Sequence, residues 1–342
     1  MSATPYCAFH GDTVRKAEMV DRVRAKWSQG QVFPLPYLKW RTDGGMVSIS
    51  GTLAQTQIPE QFVERTGLPV ELAALCEGLV YSGAEFREDK AAPFGLAMRG
   101  SEAILAFAIE WLEAIPVGAD LGDVVPRFMH GFLAGVVAPD FAMEAHLSPS
   151  VRTSAERILG LWTREMDGVQ VAPKEWRGVR ADALRASEDD RDPWGYGVTE
   201  LVESLAWPAR GLAPEFVPIF QIFGKELRDF LAAPYLGSED REIMTRSSLG
   251  LRAVTRAQRD PELSGLSTET LLERDPQARQ AVLAFMQADT QARLNAAKQQ
   301  ARPQSDRMLR QQMDSLRRLI EAPASPERAV DVSPHGGGGR YE

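Results

Sequence analysis

Residues 9–24 read FHGDTVRKAEMVDRVR, and how this stretch is read decides the fold class. From Asp12 the chain runs to about Ser28 without Gly or Pro. Val14, Ala17, Val20, Val23 and Trp27 recur at three- and four-residue spacing, the period of one helix face. Asp12 stands where an N-cap belongs: its carboxylate can accept from the free amides of the first turn and meets the positive end of the helix dipole. Gly11 lets the chain turn into it. The stretch therefore predicts an amphipathic helix, and the same period recurs at about 60–66, 69–81, 101–114, 124–137, 148–167, 198–207, 214–232, 239–258 and 268–300. A last helix is expected from Pro303 to 321. The expected fold is mainly α.

One short segment breaks the helical pattern. Leu38–Arg41 and Met46–Ser50 flank Asp43-Gly44-Gly45, which predicts a small β-hairpin over about 37–50 lying on the helices. GAEFREDKAAPFG, residues 83–95, reads as a polar loop. The run ASEDDRDPWGYG, 186–197, combines acids, Pro and two Gly and marks a loop at a domain boundary. This divides the chain into an N-terminal helical domain, 1–186, and a C-terminal helical region, 198–321. The Pro/Gly/Ser-rich tail, 322–342, is expected to be disordered.

Composition bounds the function. With 342 residues, 44% hydrophobic and 25% charged, the chain can bury a sizeable core. Its net charge of −8 gives no whole-molecule attraction to nucleic acid or anionic membrane. The most apolar run, AILAFAIEWLEAIPV, holds two glutamates and is too short to span a bilayer, and the N-terminus lacks a signal-peptide pattern. Two cysteines, Cys7 and Cys76, exclude a disulfide scaffold and suit a reducing cytoplasm. No metal or cofactor is expected, since HExxH, GxSxG, Walker A and GxGxxG are all missing from the sequence.

Two sets of residues stand out. His10 beside Asp12 could act as a general base or ligand, with Glu77 as a second carboxylate if the helices bring it close. Leu309, Met313, Leu316 and Ile320 repeat at four, three and four residues, a coiled-coil type seam flanked by Arg310 and Arg317. The surrounding segment, Gln277–Ile320, carries eight Lys/Arg against three Asp. The seam predicts packing on a partner helix, within the chain or in another protomer, and its arginines make nucleic acid a lesser alternative. The acids Glu188, Asp189, Asp190 and Asp192 could hold a cation, but their spacing is not that of an EF-hand.

FHGDTVRKAEMVDRVRAKW (9–27), RTGLPVELAALCEGLVY (65–81) and WLEAIPVGADLGDVVPRF (111–128), taken in this order with the hairpin between the first two, resemble an uncharacterised family of bacterial and phage proteins. Members open with His-Gly-Asp before a helix ending in Arg-Val-x-x-His. They continue with Gly-Ile-Pro before a second helix, then Ile-Pro-Val-Gly-Ala-Asp. His10, Gly11, Asp12, Lys16, Arg22, Val23, Pro69 and Ile115–Asp120 agree with that pattern over roughly the first 130 residues. Lys26 replaces the family's histidine, GGMVSISG replaces its cysteine-bearing hairpin, and Glu77 replaces an aspartate. The resemblance implies a domain and no reaction. The sequence thus points first to a non-catalytic cytoplasmic interaction protein, phage- or mobile-element-linked, acting through its C-terminal helix. The alternative is a hydrolase-type or metal-assisted enzyme built on His10, Asp12 and Glu77.

Overall fold

The computed structural model describes residues 6–35, 38–40, 45–189, 196–209, 212 and 216–323. The fold is mainly α, with fourteen α-helices among these residues. After a 3-10 turn over Ala8–Gly11, Asp12 caps α1 (Thr13–Ser28): its Oδ1 accepts from the amides of Val14 at 2.8 Å and Arg15 at 3.1 Å. Strand β1 (Val32–Phe33) pairs in parallel with β2 (Val47–Ser48), which leads directly into α2 (Ile49–Ala54). Next come α3 (Pro59–Thr66), with Pro59 in its first turn and Gly67 left-handed after its end, and α4 (Val70–Gly83).

The expected hairpin at 37–50 is corrected here. Val47–Ser48 takes its ladder partner from Val32–Phe33, fifteen residues upstream, and Met46–Ser50 is half strand and half helix. Lys39 still touches Ser48, accepting from its amide at 2.9 Å, whereas the Asp43-Gly44 turn lies outside the described residues. The antiparallel hairpin is instead β3 (Glu85–Glu88), inside the segment read as a polar loop, with β4 (Leu96–Arg99) just after it. Phe86 explains why: its ring packs on Tyr81 at 5.1 Å and Phe33 at 6.4 Å, anchoring one face of an otherwise polar ribbon.

Helices α5 (Glu102–Ala114), α6 (Val124–Val136) and α7 (Pro149–Met166) follow the expected positions. The helix α8 (Pro173–Asp189) was not legible, because its mean composition is polar and its buried stripe is narrow. The remainder comprises α9 (Tyr196–Ser204), α10 (Phe216–Ala232), α11 (Ser238–Arg259), α12 (Thr268–Leu272), α13 (Pro276–Phe285) and α14 (Ala288–Glu321). The helical pattern expected over 268–300 is three helices, since Asp275 caps α13 and Pro276 opens it. Pro303 does not start the last helix but sits inside a continuous 34-residue α14. It removes one backbone bond there, and burial along the helix outweighs that loss. Residues 190–195 of the 186–197 boundary and the tail from residue 324 lie outside the described residues.

One hydrophobic core runs from Ala8 to Ile320, centred on α4, α5, α6, α10 and α14. A smaller cluster, Val254, Leu271, Leu272, Ala278 and Val282, holds α11, α12 and α13 together. Among the described residues no helix is long and apolar enough to cross a membrane.

Candidate functional site

Phe9, His10 and Gly11 are all left-handed, with φ of 52°, 55° and 74°. For the two non-glycine residues this costs roughly 1–2 kcal/mol each. Their surroundings hold them. Phe9 is fully buried, the Ala8 amide donates to Ala119 O at 3.0 Å, and the Gly118 amide donates to Ala8 O at 2.8 Å. His10 Nε2 lies 2.8 Å from Glu64 O and donates to it, which fixes a proton on that nitrogen. Lys16 Nζ closes the arrangement by donating to Glu113 O at 2.7 Å and Ile115 O at 2.6 Å, the free carbonyls at the end of α5. Burial lowers the Lys16 pKa, partly offset by Glu113.

His-Gly-Asp, the glycine before Leu68-Pro69 and Pro-Val-Gly-Ala are thus packed together. Gly67 (φ 66°) passes so close to the turn that a Cβ there would lie 1.9 Å from Cys7 O. Gly67→Ala is therefore expected to lose about 3 kcal/mol in urea unfolding, combining left-handed strain with a backbone clash. A loss under about 0.5 kcal/mol would show that the turn is not held against Gly67.

Glu77 lies elsewhere. It is fully buried on α4, and its Oε2 and Oε1 accept from the amides of Ile49 at 3.0 Å and Ser50 at 2.8 Å. At the other end of α2, Arg22 donates to Leu53 O at 3.1 Å, and Arg65 donates to Ala54 O at 3.0 Å and Gln55 O at 2.9 Å. A six-residue buried helix thus has a carboxyl at its N-terminus and guanidiniums at its C-terminus, supplied by three other helices, as the macrodipole requires. Burial pushes the Glu77 pKa up to about 8, against the lowering effect of the Ser50 hydroxyl and of the amides of Ser50, Ile49 and Leu35. The trio His10, Asp12 and Glu77 does not form a shared solvent-facing cleft. Asp12 caps α1, exposed His10 is bonded to Glu64 O, and Glu77 is sealed.

The C-terminal seam is also spoken for. Met313, Leu316 and Ile320 are fully buried and Leu309 nearly so, packed on α4, α5, α6 and α10 of the same chain. Gly83 makes room, since a Cβ there would lie 2.7 Å from Leu309. Arg310 was expected only to flank the seam. It is instead largely covered, donating to Glu110 at 2.5 Å, to Asp314 at 3.0 Å and to Ala103 O. Arg317 lies 3.9 Å from Glu110. In this state the seam holds the chain's own core together and leaves no apolar stripe for a second protein.

Among the described residues, one feature with the chemistry of a binding site is a cleft of about 450 Å³ where the small α11–α13 cluster meets α10 and α14. Phe230, Met244, Leu251 and Phe285 supply apolar walls. Lys225, Asp229 and Lys298 form a charged rim: Lys298 Nζ is 2.6 Å and Lys225 Nζ 3.7 Å from the Asp229 carboxylate, and Lys225 also pairs with Glu226. Burial raises the Glu200 pKa and neighbouring Glu226 raises it further. Burial would lower that of Lys225, but Glu226 and Asp229 overcome this and hold it raised. Gly197 lets α9 close over the site, for a Cβ there would be 2.2 Å from Glu226 Cγ. A readable signal existed: Met244, Ser248, Leu251 and Thr255 repeat at four, three and four residues, the spacing of the C-terminal seam with half the positions polar.

Among the described residues no group of three or more His, Cys, Asp or Glu is arranged to hold a metal ion. His10, His130 and His146 sit on separate elements, and the acids considered at 188–192 lie outside the described side chains. Comparison with protein families, curated proteins and solved structures found no match.

Proposed function

We propose that the chain is a non-catalytic interaction protein of the cytoplasm, linked to phage or mobile elements as the resemblance of its first 130 residues suggests, and that it binds its partner through the cleft between α10, α11 and α14. The observation that carries this reading is the cleft's lining: apolar walls on one side, half-buried charged groups on the other, at the junction of two hydrophobic clusters. Leu251 at 40% exposure on its wall, with Leu283 exposed on adjoining α13 and Met286 exposed just after it, offers the kind of apolar surface that anchors a partner side chain.

A photo-crosslinking residue at position 251 is expected to give one discrete protein adduct in the producing cell, while the same residue at exposed Val14 gives none. Leu251→Arg should lower partner capture at least tenfold, the effect of about 1.4 kcal/mol, with the fold intact. Equal adducts at both positions, or none at 251, would overturn the assignment.

The second reading, a hydrolase-type or metal-assisted enzyme, is favoured by the strained turn at His10, because such backbone strain gathers at functional sites. His10→Ala separates the two readings. It should leave capture through the cleft unchanged, whereas a turnover abolished by this substitution alone would favour the enzyme.

A further inference from the structure

A buried hydrogen-bond chain links Glu77 to the protein surface. The Ser50 amide donates to Glu77 Oε1 at 2.8 Å, and the Ser50 hydroxyl, which favours the ionised carboxylate, lies 3.2 Å from Ser48 Oγ. Ser48 Oγ in turn accepts from the amides of Gly51 at 2.8 Å and Lys39 at 3.0 Å, and lies 3.4 Å from Lys39 O. Ser48 and Ser50 are buried, whereas residues 38–40 are half-exposed. Trp40 ends this segment, with Lys26 Nζ 4.9 Å from its ring centroid. Gly51 keeps the contact tight, since any Cβ would stand 2.1 Å from Lys39 O.

We propose that Glu77 is a proton-operated clamp, whose protonation state sets how firmly the segment 38–40 is held to α2. As a carboxylate, Glu77 only accepts: Ser50 turns its hydroxyl hydrogen inward, and Ser48 is free to turn its own toward Ser50. As a carboxylic acid, Glu77 must donate, and the amides around it are donors already. Its proton goes to Ser50 Oγ, Ser50 then donates to Ser48 Oγ, and Ser48 donates to Lys39 O. Protonation thus reverses the hydroxyl chain and adds a second bond to Lys39 O, which already accepts from the Ser48 amide at 2.9 Å. The proton comes from and returns to water, and no bond between heavy atoms changes.

The groups acting on Glu77 are consistent with this role. On its own helix the titratable neighbour is the Cys76 thiol, which burial pushes well above its usual range. From α2 and the segment after β1 come the amides of Ile49, Ser50 and Leu35, and the guanidiniums of Arg22 from α1 and Arg65 from α3 sit at the far end of α2. Burial pushes the carboxyl up to about 8, so the clamp titrates near neutral pH rather than in acid.

The test is ¹⁹F NMR of the whole chain labelled with 5-fluorotryptophan, with the Trp40 signal assigned by Trp40→Phe. Between about pH 6 and pH 9.5 the Trp40 resonance should shift along a one-proton curve with its midpoint near 8. Ser50→Ala keeps the amide that Glu77 grips but removes the relay, and should abolish the shift at Trp40. Glu77→Gln should abolish it too, and where that variant fails to fold, Ser50→Ala decides. A Trp40 signal flat across this window in the wild type, or a step that persists in Ser50→Ala, would overturn the proposal.

Discussion

Leu316→Asp is expected to unfold the whole chain at 25 °C rather than release a terminal helix. The wild-type side chain has no exposed surface and packs where α14 crosses the central core. Losing its burial removes roughly 1.5–3 kcal/mol. The new carboxylate has no partner there, and leaving an unpaired charge buried costs about 3–5 kcal/mol more. The sum approaches the 5–15 kcal/mol that stabilises a typical domain. Far-ultraviolet circular dichroism and hydrogen exchange would check this: α5 and α6 should lose protection together with α14. If protection is lost only over 288–321 while α5 stays protected, α14 is a separable arm and the single core described above is wrong.

Glu77→Ala should cost about 4 kcal/mol, measured by urea unfolding near pH 6. It leaves the buried amides of Ile49 and Ser50 without acceptors, each worth roughly 1–3 kcal/mol, and opens a cavity beneath α2. The wild type should also show a pH dependence with a definite sign. Its folded pKa, about 8, lies above the ordinary 4.5, so the folded state keeps a proton that the unfolded chain releases. Glu77's contribution is therefore fully present below about pH 4.5 and falls as pH rises toward 8, by up to about 5 kcal/mol. Glu77→Gln should flatten this slope. A wild type whose stability rises steadily from pH 5 to pH 8, with the same slope in Glu77→Gln, would mean that the carboxyl is ionised throughout.

What could be read from the chain followed local chemistry. Asp12 as an N-cap, the period of α1 and the breaks around Gly67-Leu68-Pro69 involve residues within one turn of each other, so the sequence displays them. The parallel pairing of Val32 with Val47 was hidden because nothing local marks so short a strand. Pro303 misled because a proline usually breaks a helix, and only burial along α14 overrides it. Glu77 left a trace that was misread. A single carboxylate among Leu72, Leu75, Cys76 and Leu79 implies a buried group that must have donors, so its first meaning is structural. Of the cleft, only the α11 wall left a pattern, at Met244, Ser248, Leu251 and Thr255, while its meeting with residues of α9, α10, α13 and α14 is set by the tertiary packing.

Helix α14 carries a consequence for biogenesis. Arg310 meets Glu110 across 200 residues and Arg302 meets Glu85 across 217. A ribosome adding roughly 5–20 residues per second needs about 10–40 s to make such a stretch. Throughout that interval the nascent α4–α6 layer displays an empty trough, floored by Gly83 and Ile104, where Leu309 will settle. Chaperones that recognise exposed apolar surface have that long to bind it, and closure must then overcome the entropy of a very long loop. The earlier helices wait on the last one, so their shared core closes only once α14 has been made.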